Sequence, residues 1–109
     1  MPGTAAAIAL QSRSLRGPVA CVDLETTGGM AAQHRVIEVG IVLLEHGRVV
    51  EEWSTLVHPG QRIPHSIASF TGIDDAMVAD APSFADVAEQ VRRRLDGRLF
   101  VAHNARFDY

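Results

Sequence analysis

Apolar and polar positions along the chain predict four strands and one clear helix. Val19-Ala20-Cys21-Val22 is small or apolar and opens a buried strand running to about Glu25. A polar loop from Gly28 to Arg35 leads into Val36 to Leu44, a run apolar on both parities except at Glu38. Such a run reads as a central strand covered on both faces. His46-Gly47 then predicts a tight hairpin, with Gly supplying a positive φ. The following stretch, about Arg48 to Val57, alternates more clearly, as an edge strand does. Residues 61–82 predict an irregular crossover with short helical turns.

The helix is Ser83 to Asp96. Pro82 precedes it, Ser83 can cap it, and Asp86 stands three residues on in a variant of the capping box. Phe84, Val87, Ala88, Val91 and Leu95 form its apolar stripe, with Arg92, Arg93 and Arg94 near its negative end and Gly97 at its stop. Arg98 to Ala102 reads as a buried strand parallel to the first, because a helical crossover leads into it. Asn104 reads as the cap of a further helix with Asp108 in its first turn.

Composition narrows the class. The 109 residues suffice for one small domain, and the 47% hydrophobic fraction argues for a packed core. Residues 1–17, Ala- and Ser-rich and closed by Gly17-Pro18, read as an N-terminal extension to a domain over 18–109. The single Cys21 excludes an internal disulfide and fits a cytoplasmic setting. No apolar run approaches a membrane span. With net charge −3 there is no global basic field for nucleic acid, although cations held by acidic residues reverse the local sign.

Candidate chemistry lies at the end of the first strand. Asp23 and Glu25 are two apart, so in a strand they share a face, whereas on a helix they would diverge by roughly 200°. Thr26-Thr27-Gly28-Gly29 stops the strand and turns the backbone. Paired carboxylates at a strand end suit a divalent cation that prefers oxygen ligands. Asp108 returns to the same end of the sheet if the last strand pairs beside the first. Glu38 needs a partner in a buried strand, and Arg35 is the local candidate.

Together, Val22-Asp23-Leu24-Glu25-Thr26-Thr27-Gly28 and His103-Asn104-Ala105-Arg106-Phe107-Asp108, with Val36-Ile37-Glu38-Val39-Gly40 and Thr71-Gly72-Ile73 between them, resemble the DEDD superfamily of 3′–5′ exonucleases. The likeness is to the proofreading epsilon subunits of bacterial replicative polymerases and to RNase T, members with a His in the third motif. It implies a ribonuclease H-like α/β fold: three antiparallel strands, a crossover helix, then a parallel strand. It also implies two divalent cations, Mg²⁺ or Mn²⁺, held by Asp23, Glu25 and Asp108. Leu24, Thr26, Thr27, Thr71, Asn104 and Phe107 would meet the substrate, with Glu38 and His103 behind them.

The implied reaction is hydrolysis at the 3′ end of a single-stranded nucleic acid, with DNA preferred, beside a polymerase or a fused C-terminal domain. The family's third motif, a His and a final Asp, has no counterpart up to Tyr109, so the chain is expected to be a C-terminally truncated domain with little activity alone. Two other classes stay open: a non-catalytic ribonuclease H-like binding module, and an RNA-trimming exonuclease. A transposase- or ribonuclease H-type endonuclease fits the T-T-G and T-G-I blocks less well.

Overall fold

A computed structural model describes residues 17–28 and 35–103, with the backbone alone at 103. Its elements are β1 (Val19–Thr26), β2 (Val36–Glu45), β3 (Arg48–Leu56), α1 (His65–Thr71), α2 (Asp75–Val78), α3 (Phe84–Leu95) and β4 (Leu99–His103). The strands form one sheet in the order β3-β2-β1-β4. β2 is antiparallel to both β1 and β3, while β4 is parallel to β1. This is the mixed ribonuclease H-like arrangement that the pattern and the resemblance predict.

The β2–β3 hairpin turns on His46 (φ 54°) and Gly47 (φ 77°). Both central residues are left-handed, as a type I′ turn demands, so the positive φ is not confined to the glycine. α3 carries the full capping box: Ser83 Oγ accepts from the Asp86 amide at 3.2 Å, and Asp86 Oδ2 accepts from the Ser83 amide at 3.2 Å. Val87 of α3 is buried, and Val91 and Leu95 pack with it, against Ala20, Val22, Val39, Ile41 and Leu43 of the sheet. Arg94 does more than complement the helix dipole. Its guanidinium lies 4.4 Å from the Trp53 ring centroid and pairs with Glu51 at 2.9 Å, fastening α3 to β3.

The face under α3 is therefore the main core. Ile41, 1% exposed, sits in it on the central strand. Ile41→Ala is expected to destabilise the chain by about 2–5 kcal/mol through lost burial and a residual cavity. Urea titration checks this, and a loss under about 1 kcal/mol would show that α3 is not firmly docked.

A second cluster joins Ile37 to Ile63, Ile73 and Val78 of the crossover. Ile37 reaches it because the β1–β2 register shifts between Glu25 and Thr26: Glu25 pairs with Glu38, but Thr26 pairs with Val36. The extra residue on β2 is a bulge, placed beside the paired carboxylates. On the face opposite α3, Val19, Cys21 and Leu44 form a third cluster with Val42 and Val101. Cys21 is a core thiol whose pKa is raised by burial. No helix among the described residues is long and apolar enough to cross a membrane.

Candidate active site

Strand alternation puts Asp23 and Glu25 on one face, and the register adds their neighbours. Glu25 lies opposite Glu38 of β2, Asp23 opposite Gly40, and Asp23 is level with His103 of parallel β4. Gly40 adds no side chain beside Asp23, and among the described residues a methyl there would meet the Asp23 carbonyl at 3.8 Å, an ordinary contact. β4 thus brings the backbone to the strand end that holds the acids. Asn104, Phe107 and Asp108 lie outside the described residues, as does the His103 side chain.

Glu38 joins the acids rather than standing alone in a strand. Its carboxyl is held above its ordinary range by burial, then by Glu25 and by Asp23. Like charges directly opposite in a sheet repel. An oxygen-only donor set that repels itself suits a hard divalent cation, whose binding relieves the repulsion. Among the described residues no three His, Cys, Asp or Glu side chains are grouped tightly enough to hold an ion by themselves. The donor chemistry of this acidic face suits a divalent metal.

The raised carboxyl carries a sign. Folding tightens proton binding at Glu38, so this group favours the folded state increasingly as pH falls through its raised value, and disfavours it at higher pH. Without metal, Glu38→Gln is expected to stabilise the chain at about pH 8 and change little at about pH 4. The gain should stay below about 1 kcal/mol, because the side chain is partly solvated. Thermal melts in EDTA at both pH values test it. Destabilisation at the higher pH would contradict the repulsive account.

The turn after the acids is closely held. Thr26 Oγ1 accepts from the Gly28 amide at 3.3 Å. Thr27, 2% exposed, donates its amide to the Arg35 carbonyl at 2.8 Å. Its hydroxyl oxygen accepts from the Arg35 amide at 3.1 Å and from Gln61 Nε2 at 3.2 Å. A substrate donor reaching that oxygen would have to displace one of these, and the hydroxyl proton is what remains to offer an acceptor. Gly28 has φ 73°, a left-handed conformation that favours glycine, whereas a Cβ there would meet, at 2.9 Å, the tip of the Ile67 side chain, which can swing aside.

Leu24 packs against the core under α3, its side chain on the face away from the acids. Thr71 closes α1, its hydroxyl donating to the Ile67 carbonyl at 2.8 Å and accepting from the Ile73 amide at 3.1 Å. Gly72 follows as a left-handed cap. Phe70 of α1 is 55% exposed just before the Thr71-Gly72-Ile73 block, an aromatic that the sequence displays beside it. Gln61 offers no such signal, because its partner Thr27 is remote in sequence.

The RNase T family model, described as an exonuclease, matches residues 20–109. The chain is 40% identical over 88 residues to the 3′-5′ exonuclease DinG of Bacillus subtilis, covering 80% of this chain and 10% of that protein. It is 36% identical over 86 residues to DNA polymerase III subunit epsilon of Treponema pallidum, covering 79% of this chain and 40% of that subunit. Among solved structures, exonuclease X in complex with 5′ overhanging duplex DNA aligns with TM-score 0.67 at 30% identity, covering 78% of this chain and 48% of that one.

Proposed function

The chain belongs to the RNase T family of exonucleases, and on that premise we propose that it contributes the first two acidic motifs of a 3′–5′ exonuclease site acting on single-stranded nucleic acid, DNA in preference to RNA. The observation that carries this reading is the pairing of Glu25 with Glu38 on the face shared with Asp23, where burial and like charge raise the Glu38 carboxyl. Two divalent cations, Mg²⁺ or Mn²⁺, would supply charge neutralisation on the phosphoryl oxygens and a water acidified for attack. Asp23, Glu25 and Asp108 would be the residues that hold them. Glu38 sits behind Glu25 and keeps the local field negative until cations enter.

The 3′-terminal nucleotide would lie between the β1 turn and α1. Thr26 and the backbone of Leu24 to Thr27 would face it from one side and Thr71 and exposed Phe70 from the other, with Asn104 and Phe107, outside the described residues, as the further candidates to contact it. His103 would act behind Asp108 rather than as the base. The chain spans 10% of DinG and 40% of the epsilon subunit, so a polymerase or a fused C-terminal domain is a fitting partner, in the cytoplasm. The test is release of nucleotides from 3′-labelled single-stranded DNA and RNA of one sequence, with Mn²⁺ or EDTA, using the protein extended past residue 109. The expected result is Mn²⁺-dependent release, faster on DNA. Faster release from RNA would favour RNA trimming, and metal-dependent binding without cleavage a non-catalytic module.

A further inference from the structure

Thr27 is buried and polar in a molecule whose other fully buried residues, among those described, are apolar. Its surroundings explain why it is retained. The regular β1–β2 ladder breaks between Glu25 and Thr26. One residue later, Thr27 binds both backbone groups of Arg35, giving its amide to the carbonyl and taking the amide on its hydroxyl oxygen. The side chain thus supplies a rung where the register has slipped. The second lone pair of the same oxygen takes Gln61 Nε2 from the segment between β3 and α1, 34 residues away.

We propose that Gln61 and Thr27 are positioning residues: their hydrogen bond ties the crossover to the end of β1 and fixes the backbone two residues beyond Glu25, holding the carboxylates in a metal-binding arrangement. This rests on Asp23 and Glu25 as metal ligands. Metal shells tolerate displacements of only about 0.2 Å in their ligand distances, so a strand end that frays past the bulge spoils the site without unfolding the domain. Gln61 is an exposed residue, so its side chain can be changed without opening the core. Thr27 is the buried anchor on which the tie depends.

Mn²⁺ alone is titrated into the chain by calorimetry, alongside melts in EDTA and amide exchange at Thr27 and Arg35. Gln61→Met, which keeps length and loses the donor, is expected to weaken Mn²⁺ binding about three- to tenfold and speed both amides by a similar factor. Its metal-free melting temperature should stay within about 2 °C. Thr27→Val should weaken binding by about tenfold or more, Thr27→Ser should retain it, and adding Gln61→Met to Thr27→Val should change nothing further. Unchanged Mn²⁺ affinity in Gln61→Met overturns the proposal, as does a loss of affinity that only tracks a fall in melting temperature. If Thr27→Val does not fold, Gln61→Met and Thr27→Ser still decide the matter. Asp23→Asn separates the two readings: binding lost there but kept in Gln61→Met removes the tie alone. A chain that binds no Mn²⁺ removes both.

Discussion

Asp23→Asn is expected to lower Mn²⁺-dependent nucleotide release on the order of a thousandfold or more while leaving the fold intact. The estimate follows from position. Asp23 lies where β1 is flanked by Gly40 on one side and His103 on the other, on the face it shares with Glu25. A carboxylate here would help to hold the cations that neutralise the phosphoryl oxygens, and an amide of the same shape lacks the charge to do so. Its loss should also relieve part of the repulsion that raises Glu38, so the metal-free melting temperature should hold or rise. The assay compares turnover of a labelled single strand by wild-type and variant forms that include the segment beyond residue 109. Asp80→Asn, at an exposed position of the crossover, is the control that should change nothing. Turnover by Asp23→Asn within about tenfold of wild type would remove the two-metal assignment.

The strands and α3 were legible because their signals are local. The capping box at Ser83 and Asp86, the alternation in β3 and the apolar run of β2 each lie within one element. Alternation also fixed the shared face of Asp23 and Glu25. It could not say what lies opposite them, because cross-strand partners depend on hairpin geometry and on bulges. A sequence reading could offer Arg35 as the partner of Glu38, being near in the chain. The register instead sets Glu25 across from it, and Arg35 gives both backbone groups to Thr27. Arg94 shows the same limit: the helix dipole explains an arginine there, but not its contacts on β3 with Trp53 and with Glu51, the latter 43 residues away. Thr27 was assigned to substrate by resemblance, and its burial with two donors on one oxygen belongs to tertiary structure alone.

Extending the protein through a segment bearing a His and a further Asp is expected to raise turnover about a hundred- to ten-thousandfold over the 109-residue chain, the range of a positioned general base. On the proposed assignment Asp23 and Glu25 hold cations and Glu38 faces Glu25, so the attacking water calls for a separate base. The sheet argues in the same direction. Among the described residues β4 pairs only with β1, and its Leu99 and Phe100 remain 53% and 54% exposed. An apolar strand at a sheet edge invites pairing with another chain, so the 109-residue form should also aggregate at lower concentration. Covering that strand should raise the melting temperature along with turnover. Both forms are purified, sized by light scattering and melted, then assayed with Mn²⁺ on a labelled single strand. Equal turnover would mean that a base lies within the present chain, and His103→Gln would then be the variant to make.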